Sequence, residues 1–308
     1  MEKRSIGSLK VSVVGLGCNN FGRRLDAEAT AAVVKASLDA GINFFDTADV
    51  YGGGLSEEYL GRALGSRRQE VIIASKFGNS MEGQGRGAHP DYIRKAVDAS
   101  LRRLGTDYID LYQQHVPDSE VPIADTLGAL NELVQAGKVR EIGSSNFSAE
   151  QIRAAEAAVQ PDAARFASVQ NRYSLLFREP EQEVLYECER FGLGFLPYFP
   201  LESGLLTGKY RQGQPVPEGT RLHDAGYQNR FMSAEHVAMA EDLIRFAEGQ
   251  GHTILELAFS WLLTRPVVAS VIAGATKPAQ VQANAAAADW QLTQADFATI
   301  DQIITRTA

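Results

Sequence analysis

The 308-residue sequence predicts an α/β fold, a (β/α)₈ TIM barrel whose lower end is closed by an N-terminal β-hairpin. Three observations lead there. Short apolar runs alternate with longer stretches of helical periodicity along the whole chain. The apolar runs are near-continuous, as expected for strands covered on both faces. The rival, an open doubly wound sheet, would carry G-x-G-x-x-G after its first strand, and "GLGCNNFGRR" has its glycines at the wrong spacing.

Taken in order, "KRSIGSLKVS" reads as a hairpin turning at Gly7-Ser8. "VSVVGLG" precedes the helical "AEATAAVVKASLDAG", "NFFDTA" precedes "SEEYLGRALG", and "VIIASKF" precedes "PDYIRKAVDASLRRLG". "YIDLYQQH" precedes "IADTLGALNELVQAG", "VREIGSSN" precedes "SAEQIRAAEAAVQ", and "FASVQNRYS" precedes "EPEQEVLYECERFG". "LGFLPYFPL" precedes a long loop and a helix near 233 to 250; "TILELAFSWLLTR" then leads into "VASVIAGAT" and "PAQVQANAAAA". Caps support the helices: Ser56 before Glu57 and Glu58, Ser148 with Gln151, and Gly41, Gly105 and Gly137 after helical runs. The whole, 1–308, is expected to be a single domain, with the Gly- and Pro-containing stretch 207–232 a functional loop and not a linker.

Composition narrows the function. The net charge of −8 disfavours nucleic acid as a partner, because binding its backbone needs basic patches. No apolar run is long enough to span a bilayer, and the N-terminus lacks the pattern of a signal peptide, so no membrane and a cytoplasmic location are expected. Cys18 and Cys188 make neither a disulfide framework nor a metal-ligand cluster, so no metal is expected.

The chemistry-bearing residues fall where a parallel barrel opens, at the C-terminal ends of its strands. The second expected strand ends in Asp46 with Tyr51 just beyond, the third in Lys76, the fourth in His115. Singly, Asp46 could cap a turn, Tyr51 form a wall, Lys76 snorkel and His115 be an ordinary polar residue. Together they are complementary. Asp46 can pair with Lys76, which lowers the cost of burying either charge. The ammonium beside Tyr51 would stabilise phenolate and is expected to lower the phenol pKa from about 10. A phenol tuned in this way can act as a general acid, with His115 hydrogen-bonding the same substrate oxygen.

The ordered set "FFDTADVYGGGLSEEYLG", "VIIASKFG", "YIDLYQQH", "VREIGSSNFS", "VQNRYS", "YFPLESGLLTGKY" and "SVIAGATKPAQVQAN" resembles the aldo-keto reductase family, bacterial members related to potassium-channel β subunits and aldose or alcohol dehydrogenases included. The resemblance covers nearly the whole chain and puts the family's tetrad on Asp46, Tyr51, Lys76 and His115. It implies a nicotinamide cofactor bound without a Rossmann motif. The carboxamide would meet Ser145, Asn146 and Gln170, and the ring would stack on Tyr198. Phe199, Pro200, Leu201, Gly204 and Leu205 would run along the diphosphate, with Lys209 as a cation. Gly274, Thr276, Gln280 and Asn284 would reach the adenosine end. Many members place Lys, Ser and Arg where this chain has Gly274, Ala275 and Gln280, so Lys277 and Arg221 are expected to replace the usual 2′-phosphate clamp. NADPH is preferred, with NADH the second candidate. A helix opening at Pro278 would also offer free N–H groups to a phosphate.

Phe21, Val50, Phe77 and the loop "GNSMEGQGRGAH" are expected to wall the substrate pocket, with 220 to 232 at its mouth. The leading expectation is an NADP(H)-dependent oxidoreductase that reduces an aldehyde or ketone to an alcohol, or runs in reverse, with Tyr51 as proton donor and a small-molecule carbonyl or alcohol as partner. The alternative is an NADPH-binding regulatory or redox-sensing subunit with little turnover. A Schiff-base lyase on Lys76 is disfavoured by Asp46, since such a lysine must be unpaired.

Overall fold

A computed structural model of the chain describes residues 1–81, 83 and 85–305. The chain opens with an antiparallel hairpin, β1 (Lys3–Ile6) and β2 (Leu9–Ser12). Gly7 makes the turn at φ +53°, and a Cβ there would come within 2.5 Å of the Glu141 carboxylate. That carboxylate accepts from Ser8 through both its backbone N–H (2.7 Å) and its hydroxyl (2.6 Å), tying the hairpin to the barrel.

The strands that follow are β3 (Val14–Gly17), β4 (Phe44–Asp46), β5 (Ile72–Phe77), β6 (Ile109–Gln114), β7 (Val139–Ser145), β8 (Phe166–Arg172), β9 (Gly194–Tyr198) and β10 (Val271–Gly274). They form one parallel sheet in the order β10-β3-β4-β5-β6-β7-β8-β9. Its two edges meet: Phe195 N–H donates to Val267 O at 2.8 Å and Phe195 O accepts from Ala269 N–H at 2.9 Å. This is the expected (β/α)₈ barrel.

Alternation along each strand divides the core in two. Phe44, Ala74, Leu111, Ala167, Leu196 and Ile272 pack inside with Ile6, Leu9 and Val11 of the hairpin, which plugs the lower end. Phe45, Ile73, Phe77, Tyr112 and Val169 belong to the larger outer cluster beneath the helices. The helices are α1 (Ala27–Asp39), α2 (Leu55–Leu64), α3 (Pro90–Leu104), α4 (Ile123–Gln135), α5 (Ala149–Ala157), α6 (Val184–Phe191), α7 (Ala225–Phe231), α8 (Ala234–Gly249), α9 (Ile254–Leu263), α10 (Pro278–Ala286) and α11 (Gln294–Thr305).

Ser148 and Gln151 form the expected capping box of α5, and Gly105 ends α3 in the left-handed conformation. Ser56 departs from expectation. It is buried one residue inside α2, its hydroxyl bonding Thr47 Oγ1 (2.8 Å) and Cys18 O (2.9 Å), while Gly54 starts the helix. The stretch 207–232 is not wholly irregular either, because α7 forms within it behind an Asp224 cap. α11 was not anticipated. Among the described residues no helix is long and apolar enough to cross a membrane, and no cluster of His, Cys, Asp and Glu is arranged to hold a metal.

Candidate active site

Strand register brings the charged pair together. Asp46 on β4 pairs with Ala74 on β5, so Lys76, two residues further, shares its inward face. Lys76 is fully buried and donates to Asp46 Oδ2 (2.7 Å) and Thr47 O (2.9 Å). The other Asp46 oxygen accepts from Gln170 Nε2 (2.8 Å) and Gln113 Nε2 (3.4 Å). Such a pair survives burial because each charge is neutralised and its remaining lone pairs are bonded. A lysine has three donors, and two are committed here, so one N–H is left for the phenol above it.

That phenol is Tyr51, on the glycine turn after β4. The Lys76 ammonium lies 5.2 Å from its ring centroid, and His115 meets it edge-on at 5.8 Å. Burial pushes the Tyr51 pKa up, and Lys76, although it pulls down, does not overcome this; the net shift is upward. This corrects the expected lowering. Removing water from a phenolate costs more than one ammonium, already shared with Asp46, returns. Tyr51 therefore keeps its proton at neutral pH, the state a proton donor needs. Burial alone would push Lys76 down, but Asp46 and Tyr51 together outweigh it and hold the ammonium above its ordinary value. Burial and then Lys76 push His115 down to about 3, so it is a neutral imidazole in the working pH range.

These groups open on a cavity of about 890 Å³. Its lining includes Asp46, Tyr51 and His115; Ser145, Asn146 and Gln170; and Tyr198, Phe199, Pro200, Leu201, Gly204 and Lys209. Arg221, Gly274, Thr276, Lys277, Gln280 and Asn284 also line it. The amides are prearranged. Tyr198 donates to Asn146 Oδ1 (2.7 Å), Asn146 Nδ2 donates to His115 O (2.9 Å), and Ser145 Oγ donates to Gln170 O (2.8 Å). One expectation at the α10 terminus needs correcting. The Thr276 N–H is not free, because Gln280 Oε1 accepts it at 2.7 Å.

Several residues fall elsewhere. Phe21 and Phe77 are fully buried in the outer core, Phe77 against Tyr112, and neither lines the cavity. Alternation explains Phe77: with Lys76 facing inward, its neighbour must face the helices. Val50 is half-buried at the start of the Tyr51 turn and is also outside the lining, as is buried Leu205. Of the loop 78–89, Glu82 and Gln84 lie outside the described residues, and the described remainder does not line the cavity.

Thr220, Arg221 and Arg230 bring the 220–232 segment to the cavity as expected, whereas Asn20 and Arg24, which also line it, carried no sequence signal. Arg221 donates to Asn20 Oδ1 (2.6 Å) and Arg24 to Gly219 O (3.0 Å), so the 208–224 segment is strapped to the loop after β3. Burial and then Arg24 and Arg221 push Lys209 down. Burial likewise lowers Arg221, with Arg24 and Arg23 adding to it. These cations repel one another, and among the described residues none has a carboxylate within ion-pair distance.

A parallel barrel with a buried Lys–Asp pair beneath a tyrosine, opening on an amide- and cation-lined groove, defines a class of oxidoreductase. The chain matches the Aldo/keto reductase family over residues 13–305 and belongs to it. It is an NAD(P)H-dependent oxidoreductase of that family, whose members act on small-molecule carbonyl compounds. It is 35% identical over 301 residues to a probable voltage-gated potassium channel subunit beta of Arabidopsis thaliana, covering 94% of this chain and 92% of the relative. It is 34% identical over 320 residues to an NADH-specific methylglyoxal reductase of Escherichia coli, covering 96% of each. The solved structure of a glycerol dehydrogenase from Gluconobacter oxydans superposes with a TM-score of 0.85 at 32% identity, covering 99% of this chain and 96% of that one.

Proposed function

We propose that the protein is an NADP(H)-dependent carbonyl reductase in which Tyr51 gives its proton to the carbonyl oxygen. The carrying observation is the Lys76 ammonium, paired with Asp46 and lying beneath the Tyr51 ring at the cavity wall. The donor set fits a dinucleotide. Neutral amide and hydroxyl groups at Ser145, Asn146 and Gln170 suit a carboxamide, and the unpaired cations Arg24 and Lys209 suit a diphosphate. Arg221 and Lys277 are the candidates for a 2′-phosphate, which favours NADPH over NADH. The bound nicotinamide supplies the hydride.

Each remaining role follows from the chain. Tyr51 holds a proton at neutral pH and releases it as negative charge develops on the substrate oxygen. Lys76 stabilises the phenolate left behind, because its charge is fixed in position before the reaction. Asp46, with Gln113 and Gln170 on its second oxygen, keeps Lys76 charged and oriented. Neutral His115 can donate one N–H to the substrate oxygen without competing as an acid.

Steady oxidation of NADPH in the presence of 4-nitrobenzaldehyde, abolished in Tyr51→Phe, is the expected result. The relative named as a channel subunit keeps a sensor role in view, and tight NADPH binding without turnover of any carbonyl would favour that role instead. Comparing kcat/KM with NADPH and NADH tests the cofactor preference; a preference for NADH would remove the role given to Arg221 and Lys277.

A further inference from the structure

Arg230, near the end of α7, lines the same cavity as Tyr51 and His115, and neither the proton relay nor the cofactor groove uses it. Its guanidinium lies 5.7 Å over the Phe199 ring and 5.1 Å over the Phe231 ring. Those rings meet edge-to-face at 5.3 Å, so the two aromatics form a corner that holds the guanidinium. Arg230 also counts among the charges felt by the Tyr198 phenol. Tyr198 donates to Asn146, and Asn146 donates to His115 O. Tyr198 and Asn146 thus place the cation on the side of the cavity that adjoins the His115 backbone.

Its charge is not balanced. Arg172, which lies 5.0 Å over the same Phe231 ring, is neutralised by buried Glu202. Arg230 has no carboxylate within ion-pair distance among the described residues. An unpaired arginine on open surface is ordinary. Arg230 is exposed at the cavity mouth, but the two rings beneath it favour one placement of the guanidinium and leave its N–H edge free for a ligand. A planar fork of that kind matches the oxygens of a carboxylate or a phosphate ester.

We infer that Arg230 is a specificity-determining residue that anchors the anionic group of a carbonyl substrate, a carboxylate or phosphate ester carried on the same molecule as the reacting carbonyl. The inference rests on the carbonyl-reductase reading above and names the substrate class for that site.

Two substrate pairs test it with wild type, Arg230→Gln and Arg230→Lys at saturating cofactor. 4-Carboxybenzaldehyde against methyl 4-formylbenzoate reads a carboxylate, and glyceraldehyde 3-phosphate against glyceraldehyde reads a phosphate. In at least one pair the charged member is expected to have the higher kcat/KM in wild type. That ratio should fall about tenfold in Arg230→Gln, through KM, as expected for one charge-assisted contact. Arg230→Lys should recover part of it. An unchanged ratio in both pairs overturns the inference. So does an equal loss on charged and neutral members with a raised KM for cofactor, which would assign Arg230 to the dinucleotide. No turnover of any of the aldehydes by wild type, with either nicotinamide cofactor, would overturn the reductase reading and this inference together. Turnover of the neutral aldehydes without discrimination would sink this inference alone.

Discussion

Two regions of one cavity treat charge in opposite ways. Beneath Tyr51, the Lys76 ammonium and the Asp46 carboxylate are buried, neutralise each other, and find every further partner within the barrel. Across the groove, Arg24, Lys209 and Arg221 repel one another and are held by an amide, a carbonyl and two tyrosine rings, with no ion pair among the described residues. In the first region the two charges are satisfied without a ligand. In the second, the one lining carboxylate, Glu218, is within ion-pair distance of none of these cations among the described residues. The difference matches the roles proposed for the two parts: a charge that acts in a transition state must be fixed beforehand, whereas a charge that binds is best left unsatisfied.

The most severe way to break this contrast is Lys76→Met. It removes the cation proposed to stabilise phenolate and leaves Asp46 buried without its counter-charge. Single-turnover hydride transfer is expected to slow by about 10²- to 10³-fold, and a urea melt should show a loss of about 3–5 kcal/mol. Full activity in this variant would mean that the buried pair is only structural.

Asp49, just before the Tyr51 turn, sharpens the same point, because there the balance is incomplete. Both its carboxylate oxygens are buried without a partner. Burial, and then Glu57, push its pKa up to about 7. The folded chain therefore holds the extra proton between about 4, the ordinary value, and about 7. Stability is fully present below that window and is lost as pH rises through it, by up to about 1.4 kcal/mol per unit. Asp49→Asn is expected to raise Tm over wild type at pH 8 and to leave it nearly unchanged at pH 4.5. Equal gains at both pH values would contradict a protonated carboxyl.

Proton demand gives a third contrast. With the Tyr51 phenol held above its ordinary value, reduction should be insensitive to pH between about 6 and 9, while alcohol oxidation should climb about tenfold per unit as phenolate is demanded. A bend near 6.5 in either profile would point to His115 as the titrating group, against its pKa of about 3.

The smallest effect belongs to the unpaired region. Arg221→Gln should raise the KM for NADPH about tenfold at low salt and less at high salt, with kcat little changed, because a partly exposed cation acts through a screened field. A fall in kcat instead would tie the strap between Arg221 and Asn20 to chemistry.

Asp46, Tyr51, Lys76 and His115 were legible in the sequence because each follows a strand of unmistakable composition, and the barrel rule sends every strand end to one face. Phe77 was misjudged although the same reasoning contained its answer: if Lys76 points inward, the next residue points out. Ser56 looked like a cap but serves as a buried bridge between Thr47 and Cys18, a role no local pattern announces. The groups around the groove were harder to find. Arg221 meets Asn20 across 201 residues, and Arg24 meets Gly219 across 195. Nothing in the composition of either loop marks its partner.

By itself, then, the sequence determined the barrel and the four residues at its mouth, because strand periodicity and chain order are local properties that chemistry reads directly. The folded molecule settles how acidic Tyr51 is, which cations remain unpaired, and that Arg230 lies over the Phe199 and Phe231 rings. Those depend on desolvation and on contacts between loops distant in the chain, and such energies exist only once the barrel has closed.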